Sequence, residues 1–204
     1  MDPYTYVQNL SQVRRLEQAR SLHTAEPANP FGLDPDLNLA VGQGFYIQPV
    51  LAEKISRFSL VGVPENSPEQ IAAWAAAHKN CNWALALEDS GVLALEIDPD
   101  LSLDAIAWIS HRSGLEWKRT LQFYSGSHHY ALLARPQTEF RNPGATFPGL
   151  SVLSRGPLII PPSTSVGVAL RYTDRRAPIL EAPPSLFLPS PFSNRTIADL
   201  TSGW

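Results

Sequence analysis

Cysteine is almost missing: the 204-residue chain has one, Cys81. A single thiol excludes an internal disulfide and any metal site built of thiolates alone, and a reducing cytoplasm is the expected compartment. No apolar run approaches the ~20 residues that a membrane-spanning helix needs. The start, MDPYTYVQNLSQVRRLEQAR, lacks the pattern of a secretory leader, so no membrane partner is expected. There is no internal repeat. Excess charge is also scarce. A net charge of -3 gives no global attraction to nucleic acid or to a membrane surface.

One absence is local. Between Asn82 and Asp104 there is no Lys or Arg, while Glu88, Asp89, Glu96, Asp98, Asp100 and Asp104 all fall there. From His111 to Arg176 the balance reverses, with nine Lys or Arg against Glu116, Glu139 and Asp174. Solvated surface charge is the plain explanation. An acidic strand end beside an arginine-rich second half also suits a cation-assisted phosphate site.

What is abundant is proline, nineteen in all and crowded toward the C-terminus. Asp2-Pro3 can start a helix carrying Val7, Leu10, Val13 and Leu16 at helical spacing. Residues 23–38 are rich in turn formers and read as a linker. GFYIQPV reads as a strand. Ser67, Pro68 and Gln70 form an N-cap, first helical residue and capping box for a helix containing Ile71 and Trp74. NWALALEDSGVLALEIDPD reads as two strands joined by a tight turn at Asp89-Ser90-Gly91. SLDAIAWISHRSG reads as a helix capped by Ser102 and stopped by Gly114. TLQFYSGSHHYALLARP is strand, turn, strand, and GPLIIPPS and GVALRY are two more strands around Pro161-Pro162. The mixture gives an α+β class. The expected division is a helical extension and linker over 1–35, a domain over 36–190 and a tail over 191–204. Trp74, Trp83, Trp108 and Trp117 are expected to pack in or near the core.

Glu96 and Asp98 carry the chemistry. They close the apolar run Val92–Leu95 and flank Ile97. Residues i and i+2 of a strand share a face, so the two carboxylates are expected side by side. Such a pair is unfavourable without a cation to neutralise it.

Three segments in order, ALEIDPD, SGSHHYALL and RGPLIIPPS, resemble the N-terminal domain of bifunctional DNA primase/polymerases, in the archaeo-eukaryotic primase superfamily. The resemblance runs from about Leu39 to about Leu188 and leaves residues 1–35 outside. It implies a mixed sheet with flanking helices, with the acids and His129 on one open face. It implies Glu96 and Asp98 as ligands of Mg²⁺ or Mn²⁺, hard cations suited to oxygen donors. It makes Glu96, Asp98 and His129 the catalytic candidates, and His129 with the turn Ser125-Gly126-Ser127 the contacts to nucleotide phosphates. Lys54 and Arg155 are candidates for phosphate or template contacts, and His128 is expected to face away.

The implied partners are template-primer DNA and nucleoside triphosphates, in a replication or mobile-element protein. No Gly-x-x-x-x-Gly-Lys-[Ser/Thr] motif occurs, so unwinding would fall to a helicase on another chain. The chain departs from the family pattern at three points. Glu96 stands where Asp is usual, and Ser127 where a second glycine is usual. A third acid, expected near Leu150 or Ser151, is missing, because no Asp or Glu lies between Glu139 and Asp174. Two classes therefore stay open. One is a metal-dependent nucleotidyltransferase; the other is an inactive module of the same fold that binds nucleic acid, nucleotide or protein.

Overall fold

The computed structural model describes residues 28–54, 57–98, 100, 109–110, 114–125, 128–136, 145–147, 149–165 and 167–187. The expected helix near the N-terminus, most of the one capped by Ser102, the tail, Gly126 and Ser127 lie outside the described residues. The helices and strands belong to the unit Phe31–Trp204.

Within the stretch read as a linker, a helix, α1 (Pro35–Gly42), begins. Its start is built from turn formers: Asp34 caps the Asp36 N–H at 2.8 Å and Pro35 opens the first turn. The Asp36 carboxylate is fully buried and pairs with Arg175 at 2.5 Å and Arg171 at 3.5 Å. Beside it the Tyr172 hydroxyl is buried without a hydrogen-bond partner, and burial, reinforced by the Asp36 charge, pushes the phenol well above its ordinary range. The second helix, α2 (Pro68–Ala77), starts as expected, with the Ser67 hydroxyl accepting from the Gln70 N–H.

The strands form two main sheets. The first is four-stranded and antiparallel, ordered β2 (Arg57–Leu60), β1 (Ile47–Lys54), β3 (Asn82–Ala86) and β9 (Pro157–Ile160). The second has the order β12 (Leu180–Glu181), β6 (His129–Ala134), β4 (Val92–Ile97), β8 (Leu150–Leu153) and β7 (Ala145–Phe147), with β5 (Gln122–Tyr124) also pairing β6. A two-stranded ribbon, β10 (Thr164–Ser165) and β11 (Val168–Ala169), follows the Pro161-Pro162 turn. The turn at Asp89-Ser90-Gly91 joins β3 to β4 as expected, but the two strands enter different sheets. The Ser90 hydroxyl accepts from the Tyr46 N–H at 2.8 Å, which ties this turn to the head of β1.

Alternation along β4 divides the apolar residues between two cores. Val92 and Ala94 pack with Leu132 and Phe123 of their own sheet and with Ile47, Trp83, Leu85 and Ile160 of the other. This first core also takes Leu37 of α1 and Ile71 of α2. Leu93, Leu95 and Ile97 point the other way, into a second core with Ala131, Leu133, Leu150, Val152, Leu115 and Trp117. The six-stranded sheet is thus buried on both faces along β4 and β6, and its core strands read as continuous apolar runs.

Candidate active site

Where β4 runs out of the first core, the same face continues as Glu96. Its cross-strand partners are Tyr130 on β6 and Ser151 on β8. Directly opposed residues of an antiparallel pair share a face, so Glu96, Tyr130 and Ser151 stand in a row across three strands. The Asp98 N–H donates to the Gly149 carbonyl at 2.7 Å, continuing the ladder one step beyond β4. One Asp98 oxygen accepts from the Asp100 N–H at 2.8 Å.

Glu96 is half-buried, and its carboxylate accepts from the Tyr130 hydroxyl at 2.7 Å. The phenol is pushed up to about 12, by burial first and then by the Glu96 hydrogen bond and charge, with a hydrogen bond to Ser125 pulling the other way. Tyr130 is therefore a protonated donor throughout the physiological range and fixes one oxygen of Glu96. Ser125 closes the β5–β6 turn, its N–H donating to the His128 carbonyl at 2.9 Å. His128 lies beside Tyr130, with ring centroids 6.4 Å apart.

His129 is elsewhere, which corrects the expectation that it converges with the acids. It stands opposite Ile97 on β4 and Tyr124 on β5, on the second-core face. Its ring stacks on Tyr124 at 4.1 Å and meets the edge of Trp117 at 5.3 Å. It is only 8% exposed, its Nε2 has no hydrogen-bond partner, and burial lowers its pKa, so it is neutral at neutral pH. The reason is register. The residue opposite Ile97 must take the face of Ile97, and its neighbours His128 and Tyr130 take the face of Glu96. The histidine expected to face away is the one on the acids' side.

The remaining candidates divide. Ser125 is on the acids' side through its bond to Tyr130. Lys54 ends β1 opposite Arg57, and its side chain lies outside the described residues. Arg155 is exposed and reaches Glu88 at 4.0 Å, beside the turn that opens β4. Antiparallel pairing carries β8 from Leu150 opposite Ile97 back to Leu153 opposite Ala94. Arg155 therefore lies toward the start of β4, on the order of 20 Å along the strand from Asp98 at about 3.4 Å per residue. It is not brought to the acids. Among the described residues, no group of three or more His, Cys, Asp or Glu side chains is arranged to hold a metal ion.

The model of the family described as bifunctional DNA primase/polymerase, N-terminal, matches residues 43–185. The chain belongs to that family. Its α+β fold, with two α-helices and mainly antiparallel sheets among the described residues, is that of a primase/polymerase domain. No curated protein and no solved structure matches the chain. Among the described residues no helix is long and apolar enough to cross a membrane.

Two residues beside Glu96 were missed by sequence reasoning: Tyr130, which donates to it, and His128, which lies against Tyr130. Alternation could not reveal them. HHYALLA is apolar on both faces of β6, so its pattern does not distinguish the two faces. Ser151 is clearer. Of the two positions expected for a third acid, Leu150 faces the second core at 1% exposure and Ser151 faces Glu96.

Proposed function

We propose that this domain carries out metal-dependent nucleotidyl transfer to a primer on a DNA template, with a two-carboxylate centre and low turnover. The observation that supports it is the row Glu96, Tyr130 and Ser151, continued by Asp98 where the core between the two sheets ends. Two hard carboxylates suit one Mg²⁺ or Mn²⁺, which commonly takes one or two protein carboxylates and fills its shell with water and phosphate oxygens. They do not suit a fully caged pair of ions. When bound, such an ion neutralises the paired acids and the charge that develops on the leaving pyrophosphate.

The chain's own residues do the rest. Tyr130 holds Glu96 in one orientation. Ser125 meets the triphosphate, and His128 flanks the same face. The serine facing Glu96 favours a second reading, a module that binds nucleotide and DNA without turning over.

Primer extension with Mn²⁺ separates the two readings. The parent is expected to extend slowly, Asp98→Ala to abolish extension, and Ser151→Asp to increase it. The gain should be on the order of a hundredfold, the scale of correcting a misplaced reacting group. DNA binding without extension by either the parent or Ser151→Asp would establish the binding module instead.

A further inference from the structure

Tyr124 ends β5 at the same end of the sheet as the acids but on the other face. It is 56% exposed. One side of its ring is covered by His129, stacked at 4.1 Å and 17°, so the exposure belongs to the opposite side and the edge. Beneath it His129 is buried and braced by the edge of Trp117. Trp117 in turn carries the Lys118 ammonium 5.6 Å from its ring centroid. Lys118 is exposed and makes no ion pair among the described residues, whereas its neighbour Arg119 is paired with Glu116. The result is a continuous run of Lys118, Trp117, His129 and Tyr124, with a cation at one end and an open aromatic face at the other.

An exposed tyrosine alone is ordinary surface. This one is held rigid by a stacked ring, so little side-chain freedom remains to be lost when another flat group is laid on it. Flat, sequence-tolerant partners with a phosphate nearby are the bases of an unpaired nucleic-acid strand. Aromatic stacking and a nearby cation are what binds such a strand.

We infer that Tyr124 is a stacking platform for a base of single-stranded DNA, with Lys118, at the other end of the aromatic run, meeting a phosphate further along the same strand. The inference rests on the DNA reading above and extends it to a face of the sheet that the acids do not occupy. It also gives His129 a role as a positioning residue for Tyr124.

The test is fluorescence anisotropy with a labelled oligothymidylate, at several salt concentrations and without divalent ions, so that catalysis does not enter. Tyr124→Ala is expected to weaken binding about fivefold to a hundredfold, the range for one lost base–aromatic stack. Tyr124→Phe should retain parent affinity. Tyr124→Leu, which keeps bulk without a π-face, should behave like alanine and guards against a folding artefact. Lys118→Ala should lower the slope of log affinity against log salt by about 0.7, one single-strand phosphate contact, while Tyr124→Ala leaves the slope unchanged. Parent-like binding by Tyr124→Ala overturns the platform and leaves the DNA reading intact. So does a change confined to self-association in sedimentation, which would make the patch a protein contact. Failure of the parent to bind at low salt removes the DNA reading and the platform with it.

Discussion

On one face of the six-stranded sheet, β4 presents Val92, Ala94 and then Glu96; on the other it presents Leu93, Leu95 and Ile97. The strands are the same and the end of the sheet is the same. The first face changes from apolar to acidic at its last residue, and its cross-strand neighbours change with it to Tyr130 and Ser151. The second keeps its apolar packing through Ile97, with Leu150 beside it, and ends in aromatic rings, Trp117 and Tyr124 against His129. A carboxylate can stand only where water or a partner can reach it. The face with the acids is therefore the one whose core stops short, and a histidine one residue out of phase with them becomes part of the packing.

The two faces differ most at adjacent positions of β8. Leu150→Asp removes a buried leucine and puts a charge in its place, and should cost at least about 4 kcal/mol. Ser151→Asp, one residue on, should change stability by no more than about 1 kcal/mol, since its side chain is half-buried on the acids' face. Urea unfolding midpoints measure both. Equal losses would mean the two faces are not distinguished as described.

A smaller effect sharpens the acidic side. Tyr130→Phe deletes the bond to Glu96 and should cost about 1.5 kcal/mol, the lower end of the range for a hydrogen bond to a charged group because the pair is only partly buried. Glu96→Gln combined with it in a double-mutant cycle should show coupling of similar size. Zero coupling would mean the phenol does not orient the carboxylate.

The closed face gives the weakest signal, and it depends on pH. Burial depresses the His129 pKa below its ordinary 6.5. Below about pH 6.5 the unfolded chain takes up a proton that the folded chain refuses. Stability should therefore fall as pH drops from 7 toward 5, by less than about 1.4 kcal/mol per pH unit. His129→Leu should flatten that part of the profile in denaturant titrations at stepped pH. An unchanged slope would place the titrating group elsewhere.

Much of this architecture can be read without coordinates. The α2 start is written in Ser67, Pro68 and Gln70. The Asp89-Ser90-Gly91 turn is equally plain. What local patterns cannot carry is partnership between distant segments. Nothing in the turn tells β3 and β4 to enter different sheets. The assignment of His128 and His129 to faces depends on which residue of β6 lies opposite Ile97, and a strand buried on both sides leaves that register unmarked. The choice between Leu150 and Ser151 is open in the sequence for the same reason. Asp36 is hidden in a stretch whose turn formers read as a linker, and its partners lie far along the chain.

That last distance bears on how the molecule is made. The Asp36 carboxylate meets Arg175 across 139 residues of sequence. At synthesis rates of about 5–20 residues per second, a ribosome works for roughly ten seconds or more between the acid and its second arginine. For that interval α1 carries a charge that its final packing would bury without compensation, so the helix has reason to stay solvated until the arginines arrive. The ion pair can close only once residue 175 has been made, and it joins the beginning of the domain to its end.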